Sequence, residues 1–317
     1  MSFDLQDLCA AVARHGRVAR VVVAAAQGSS PREVGAAMLV WEGGQSGTIG
    51  GGALEFAAAA AARARLAGDG APVLSHHALG PDLGQCCGGR VTLLTEIYRP
   101  GAVPDGAEGG VARPVAGPAD APPLSVRRLL AAARARGARP PARFVDGWMV
   151  EPVRRPTRAL WVWGAGHVGR ALVAVLAPLP DLEITWIDTD PSRFPGDVPP
   201  GVTVIAQPRP ADLAAHAPPD AGHYILTYSH ALDLELCHRV LQRGFGHAGV
   251  IGSATKWARF GKRLAALGHA PDRIARIACP IGDPGLGKHP AQIAIGVAQE
   301  VLARGQTGAR PREARNA

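Results

Sequence analysis

Lysine, aromatic residues and long apolar runs are all scarce in this chain of 317 residues. Aromatic residues make up 5% of it, too few for a platform on which single-stranded nucleic acid would stack. No apolar run approaches the roughly 18 residues that a membrane-spanning helix needs, and the N-terminus has acids where a signal peptide has bases. The five cysteines are too few and too irregular for a disulfide framework. These shortages predict a cytoplasmic protein that binds neither membranes nor nucleic acid.

Arginine accounts for nearly all of the positive charge. The net charge is +8, and only three of the 34 basic residues are lysine. The arginines are spread through a background rich in alanine, glycine and proline, which indicates a bias of composition rather than a nucleic-acid footprint. With 47% hydrophobic residues, the chain can bury substantial cores, and its length predicts about two domains.

The order of the predicted elements indicates an α/β protein. Residues 1–98 mix helices and strands in an N-terminal α/β domain, and residues 99–156 provide a linker, a helix and a hairpin. From 157 to 305, strands and helices alternate, which is typical of a Rossmann-like domain with a doubly wound parallel sheet. Residues 306–317 are expected to form a disordered tail.

A glycine-rich turn follows the first strand of the predicted Rossmann-like domain. Gly164, Gly166 and Gly169 form a Gly-x-Gly-x-x-Gly pattern that opens a helix near His167, and Asp188 ends the next strand. Such glycines let a backbone approach a phosphate at a helix N-terminus, and the acid would accept hydrogen bonds from a ribose. The pattern predicts that these five residues bind a cofactor. A turn that merely packs the helix on the sheet is the alternative.

Three consecutive glycines form a second candidate anion site. Gly50, Gly51 and Gly52 precede an alanine-rich segment of strong helical propensity. Their N–H groups would lie at the N-terminus of that helix, where anions are stabilised. A tight turn with close backbone packing fits the same residues.

Two adjacent cysteines lie in a glycine- and proline-rich loop between predicted strands. Gln85 precedes Cys86 and Cys87 there, and N–H groups of such a loop can lower the pKa of a thiol. The spacing does not fit a structural zinc site, but thiolates suit a softer metal. Cys86 and Cys87 are therefore candidate metal ligands, with a pair of small buried residues as the alternative. Cys9 and Cys237 lie on apolar helix faces and are predicted to be core residues.

Two further loops carry candidate binding residues. His230 follows a predicted strand and opens a helix, a position where open α/β sheets place ligands. Lys288 lies in a glycine-rich loop before the last helix and could provide a point charge for an anion. That loop lacks the spacing of a phosphate-binding P-loop.

Seven segments, in order, resemble the xanthine dehydrogenase accessory protein family, the XdhC/CoxI-like molybdenum-cofactor chaperones. They are GSSPR (28–32), GTIGGGALE (47–55), GQCCGG (84–89), WGAGHVGRAL (163–172), SHALD (229–233), VIGSATK (250–256) and PIGDPGLGKHPAQIA (280–294).

The resemblance implies a chaperone rather than an enzyme. It would bind the molybdenum cofactor as cargo, protect it during sulfuration by a cysteine desulfurase, and insert it into xanthine dehydrogenase, its client. A homodimer is also implied. The cofactor phosphate would lie at one of the two glycine turns, and the metal would lie beside Cys86 or Cys87. The alternative is an NAD(P)-dependent oxidoreductase, which would use the Rossmann-like domain but leave the cysteine loop without a role.

Overall fold

The computed structural model describes residues 2–68, 70–80, 88–104, 110–116, 121–154 and 156–307, with side chains up to 305 in the last range. The chain divides into two compact units, Met1–Arg155 and Pro156–Ala317. The first unit contains antiparallel sheets and the second a parallel sheet, so the predicted α/β class is confirmed.

Helices and strands alternate irregularly in the first unit and regularly in the second. The helices are α1 (Leu5–His15), α2 (Gly52–Arg65), α3 (Leu124–Ala135), α4 (His167–Leu176), α5 (His230–Arg243), α6 (Ala254–Ala266), α7 (Pro271–Ile274) and α8 (Pro290–Thr307). The strands are β1 (Val18–Gln27), β2 (Ala37–Trp41), β3 (Gly44–Gly47), β4 (Val73–Ala78), β5 (Arg90–Tyr98), β6 (Gly110–Pro114), β7 (Arg143–Val145), β8 (Trp148–Pro152), β9 (Arg158–Trp163), β10 (Leu182–Asp188), β11 (Val202–Ala206), β12 (Gly222–Ile225), β13 (His247–Val250) and β14 (Ile277–Ala278).

The larger sheet of the first unit has the order β3-β2-β1-β5-β4, and its neighbouring strands are antiparallel. Its central strand β1 is buried continuously from Val18 to Ala24, because both faces are covered. Helix α2 packs on one face through Leu54 and the buried alanines of its inner side. On the other face, Met149 of β8 packs against Val22.

A three-stranded sheet of order β6-β8-β7 completes the first unit. Its β7–β8 hairpin turns at Asp146 and Gly147, and both have the positive φ that such a two-residue turn requires. Strand β8 is buried along its whole length. The helix and the hairpin expected within 99–156 correspond to α3 and to β7–β8, and part of the expected linker forms β6, which pairs with β8. Strand β8 is apolar and is therefore buried against the larger sheet.

A cluster of two arginines and two glutamates lies between these two sheets. Glu151 is fully buried and accepts hydrogen bonds from Arg20 at 2.7 and 3.0 Å and from Arg113 at 2.6 Å. Arg113 also donates to both oxygens of Glu96, and the Arg20 guanidinium stacks 4.0 Å from the ring centroid of Phe3. Burial acts to raise the pKa of Glu151, but the two guanidinium groups hold it below its usual range.

The parallel sheet of the second unit has the order β11-β10-β9-β12-β13-β14. The chain starts at the central strand β9, proceeds to one edge, and then returns to β12 to build the other half. Apolar clusters cover both faces of this sheet. The predicted Rossmann-like, doubly wound sheet is therefore confirmed, and the loops after its parallel strands meet at one edge.

Two expectations about the helices have different outcomes. Cys237 is buried on α5, as predicted, but Cys9 is exposed because α1 buries Leu8 and Val12 instead. Helix α8 extends to Thr307, and the rest of the predicted tail lies outside the described residues. No helix in the described part of the chain is both long and apolar enough to cross a bilayer.

Candidate functional site

The triple-glycine turn of the first unit encloses a carboxylate of its own chain. Gly50, Gly51 and Gly52 all have φ between +68° and +128°, where side chains are rarely tolerated, and they lead directly into α2. The carboxylate of Glu55, one turn into α2, accepts hydrogen bonds from the N–H groups of Ile49 (2.9 Å) and Gly51 (3.0 Å). The turn that was predicted to hold a foreign anion thus holds Glu55.

The same carboxylate also accepts a hydrogen bond from the hydroxyl of Thr48, which in turn accepts one from the N–H of Gly50. Burial acts to raise the pKa of Glu55, but these hydrogen bonds outweigh it and hold the pKa below its usual value. Glu55 therefore stays ionised at neutral pH. Among the described residues, no hydrogen bond engages the N–H of Gly52, and binding of an anion at Gly50, Gly51 and Gly52 stays a prediction.

The turn after β1 contacts both neighbouring loops at the same edge of the sheet. A Cβ at Gly50 would lie 2.7 Å from the Cβ and Cγ of Pro31. On the other side, a Cβ at Gly89 would lie 2.3 Å from the carbonyl oxygen of Ser29, and one at Gly28 would lie 3.2 Å from Gly89 Cα. The segment 28–32 therefore lies between the triple-glycine turn and the base of the cysteine loop. Sequence reasoning named this segment but predicted no role for it.

The cysteine loop starts and ends at this edge. The N–H of Leu79 donates to the carbonyl of Gly89 at 2.8 Å, which brings the two ends of the loop together. Gln85, Cys86 and Cys87 lie outside the described residues, so their roles as cofactor and metal ligands stay predictions. The described residues contain no cluster of three or more histidine, cysteine or acidic side chains that could hold a metal ion.

A cavity of about 500 Å³ opens at the same edge of the first unit. Its walls come from the ends of β1, β4 and β5, and the polar residues in them are Gln27, His76, His77, Arg90 and Thr92. His76 Nδ1 lies 3.0 Å from the Thr92 hydroxyl, and His77 Nε2 lies 2.9 Å from the hydroxyl of Ser75. Burial, reinforced by the neighbouring histidine, lowers the pKa of His77. Sequence reasoning missed this cavity, because strand residues with alternating exposure carry no motif.

In the second unit, the Gly-x-Gly-x-x-Gly turn is closely packed at its first and third glycines. A Cβ at Gly164 would lie 2.4 Å from the carbonyl oxygen of Leu226, and one at Gly169 would lie 2.0 Å from the carbonyl oxygen of Gly164. Gly166 has nothing within 4 Å of the corresponding position and precedes α4 without a side-chain cap. Two of the three glycines are thus required by packing, and only Gly166 leaves room for a ligand.

Asp188 braces this turn. One carboxylate oxygen accepts a hydrogen bond from the N–H of Ala165 at 2.6 Å, and the other accepts from the N–H and hydroxyl of Thr189. Arg193 forms an ion pair with the same carboxylate at 3.3 Å. Asp188 is buried, with 4% of its surface exposed, and both of its carboxylate oxygens already accept hydrogen bonds. Its predicted contact with a ribose stays a prediction.

Three other predicted residues are exposed at the edge where the parallel strands end. His167 begins α4, His230 begins α5, and Lys288 lies in the loop that follows β14. Their positions are compatible with ligand contacts, and their roles stay predictions.

A buried ion pair at this edge was not predicted. Asp233 of α5 is fully buried and accepts a hydrogen bond from Lys256 Nζ of α6 at 2.6 Å. The second oxygen accepts from the N–H and hydroxyl of Thr227. The pair joins the loops after β12 and β13. No local signal could have revealed it, because the two residues are 23 positions apart.

Comparison with known families matches both units. The family described as the XdhC Rossmann domain matches residues 160–301, and the family described as XdhC and CoxI matches residues 11–77.

The chain belongs to the XdhC family.

The two XdhC matches contain most of the motifs described above. The match over 11–77 contains the segment 28–32 and the triple-glycine turn. The match over 160–301 contains the Gly-x-Gly-x-x-Gly turn and the loops after β12, β13 and β14. The cysteine loop falls between the two matched ranges. XdhC membership supports an accessory role in the maturation of another protein.

Solved structures agree with this fold. A protein described as a xanthine dehydrogenase from Bacillus halodurans is 19% identical, with a TM-score of 0.68 over 99% of this chain and 98% of its own. At that identity the likeness shows the fold alone. A myo-inositol dehydrogenase from Corynebacterium glutamicum covers 38% of this chain and 35% of its own at 18% identity, with a TM-score of 0.28, too low to carry an argument. No curated protein matches this XdhC member.

Proposed function

We propose that this XdhC member binds the molybdenum cofactor as cargo, protects it during sulfuration, and inserts it into xanthine dehydrogenase. In this proposal a cysteine desulfurase provides the sulfur, xanthine dehydrogenase is the client, and the chain acts as a homodimer. The cofactor is released rather than consumed, so binding and transfer take the place of turnover.

One observation carries the proposal beyond family membership. Three motifs of the first unit meet at one edge of its sheet: the segment 28–32, the triple-glycine turn, and the base of the cysteine loop. They are far apart in sequence, and the glycines at 28, 50 and 89 allow their backbones to pack closely. A binding site at this edge would explain why all three segments converge there.

The donors at this edge fit the cofactor. The molybdenum cofactor is a pterin that carries a dithiolene-bound metal and a phosphate. The cavity of about 500 Å³ is in the range of small-molecule sites, and its polar walls can donate hydrogen bonds to a phosphate and a pterin. Cys86 and Cys87 would provide thiolates for the metal side, with Gln85 as a hydrogen-bond donor to the metal's oxo group or the pterin.

The oxidoreductase alternative has less support. Nucleotide binding by a Rossmann domain relies on an acid that accepts hydrogen bonds from the ribose, and both oxygens of Asp188 are already engaged. We therefore expect no change in NADH fluorescence when the protein is added. A saturable shift would favour the alternative.

Anaerobic reconstitution tests the proposal. The wild-type chain, mixed with the cofactor released from a molybdoenzyme and then gel-filtered, should retain molybdenum and pterin together. It should also activate cofactor-free xanthine dehydrogenase in the presence of a cysteine desulfurase. A chain that retains no cofactor and activates no client would contradict the proposal.

The thiol role needs a matched control. Cys86→Ala and Cys87→Ala should each reduce retention of the cofactor, whereas Cys9→Ala removes an exposed thiol on α1 and should not. Equal retention by all three variants would remove the cysteine loop from the mechanism and leave the rest of the proposal standing.

A further inference from the structure

We propose that the cavity at the ends of β1, β4 and β5 is a phosphomonoester site, with Arg90 and His76 as the principal anion-binding groups. This inference rests on the proposed function in one respect: the phosphate is that of the bound cofactor. It departs from the expectation that a glycine turn holds the phosphate.

Strand register places the polar groups of the cavity on one face of the sheet. Thr92 pairs with His76 of β4 and with Ala25 of β1, and Arg90 pairs with Ala78 and with Gln27. Directly paired residues share a face, and so do residues two apart on one strand. Gln27, His76, Arg90 and Thr92 therefore point into the same space.

The chemistry of these side chains selects an anion. A guanidinium binds phosphate oxygens through paired hydrogen bonds, and the hydroxyl and amide groups of Thr92 and Gln27 can add further donors. Contact with Thr92 uses only Nδ1 of His76, so Nε2 is available to a ligand. None of the described residues that line the cavity is acidic. The backbone of Arg90 pairs within the sheet, and in the described part of the chain no hydrogen bond or ion pair engages its guanidinium.

The glycine turn offers a less favourable place for the same group. The N–H of Gly51 and that of the preceding Ile49 already bind the carboxylate of Glu55, which stays ionised. A phosphate at that turn would lie beside a fixed negative charge, whereas a phosphate in the cavity would lie beside Arg90. Coulomb repulsion at such short range disfavours the first position.

The size of the cavity indicates what the phosphate is attached to. About 500 Å³ is several times the volume of a phosphate group, so the site has space for part of a heterocyclic ring as well. Free phosphate should therefore bind in the cavity weakly, and a phosphorylated pterin more tightly.

The experiment compares two probes on variants of the full chain. Arg90→Gln removes the charge, Arg90→Lys retains the charge without the paired donors, and Arg128→Gln removes a charge from the exposed surface of α3 as the control. Cofactor affinity is measured anaerobically by fluorescence, and binding of inorganic phosphate by ³¹P NMR line broadening. Arg90→Gln should weaken cofactor binding about tenfold or more and abolish phosphate broadening, because charge-assisted hydrogen bonds are lost. Arg90→Lys should be intermediate, and Arg128→Gln should match the wild type.

His76→Gln is a second variant, which retains a polar side chain and should weaken both probes by a smaller factor. If the wild type binds the cofactor and neither the Arg90 variants nor His76→Gln changes its affinity, the phosphate site is wrong and the proposed function stands. If phosphate binds in an Arg90-dependent manner while the cofactor does not bind, the anion site is supported and the proposed function fails. If neither probe binds the wild type, both are wrong.

Discussion

Replacing Glu151 by glutamine should destabilise the first unit more than almost any other conservative change. Glu151 is fully buried and accepts three charge-assisted hydrogen bonds, two from Arg20 and one from Arg113. Together with Glu96, these side chains form a neutral cluster of two positive and two negative charges. Glutamine leaves an uncompensated positive charge in the interior and turns an amide N–H₂ group toward guanidinium donors.

The expected loss follows from the cost of removing one partner of a buried ion pair, about 3–5 kcal/mol. Because the glutamine carbonyl can still accept one hydrogen bond, we expect the lower end, about 3 kcal/mol. For a unit of this size, each kcal/mol shifts the melting temperature by about 2–4 °C. The transition of the first unit should therefore move down by about 6–12 °C.

Differential scanning calorimetry measures this shift, and hydrogen exchange of peptides from β1 and β8 assigns it to the first unit. The double variant Arg20→Met/Glu151→Gln restores neutrality and leaves the contacts between Arg113 and Glu96 intact. It should recover more than half of the lost stability. A single variant within about 0.5 kcal/mol of the wild type, or a double variant no better than the single one, would refute the reasoning.

Three further predictions concern the second unit. Burial lowers the pKa of His223 to about 4, whereas in the unfolded chain this side chain takes up a proton near pH 6.5. Urea denaturation should therefore show that His223 causes a loss of about 2–3 kcal/mol of stability between pH 7 and 4. His223→Gln should flatten that part of the stability profile. Gly169→Ala should prevent folding or lower the melting temperature strongly, because the new Cβ would clash with the carbonyl oxygen of Gly164. Gly166→Ala, which has open space for a Cβ, should melt like the wild type. Equal melting temperatures for the two variants would contradict the packing argument. Lys256→Met leaves the buried Asp233 carboxylate without its cation and should lower the free energy of unfolding by about 3 kcal/mol in denaturant titrations. The double variant Asp233→Asn/Lys256→Met should recover part of this loss. Additive effects of the two substitutions would mean that the pair is not coupled.

Local patterns were sufficient for the second unit. Its strands are apolar runs that alternate with amphipathic helices. The glycines at 164 and 169 reflect contacts within a few residues of the turn or with the segment that follows the adjacent strand. Such short-range geometry leaves a direct trace in a sequence. The doubly wound sheet and the family could therefore both be predicted.

Contacts between distant residues left no such trace. Glu55 looks like an ordinary helix residue, and only the folded turn brings its carboxylate to the N–H groups of Ile49 and Gly51. Arg20 and Glu151 are 131 positions apart, so the sequence around either residue contains no signal that predicts their ion pair. The cavity near Arg90 likewise depends on three strands in register. For this reason the sequence indicated the glycine turns, whereas the side chains that surround them could not be predicted.

The salt-bridged cluster also determines where this protein can be truncated. A fragment that stops after β5 keeps Arg20 and Glu96 but loses both of their stronger partners, and it exposes the apolar face of β1 that Met149 covers. Such a fragment would be expected to aggregate, although it contains every motif of the N-terminal half. Expression of that half by itself should therefore extend to the unit boundary at residue 155.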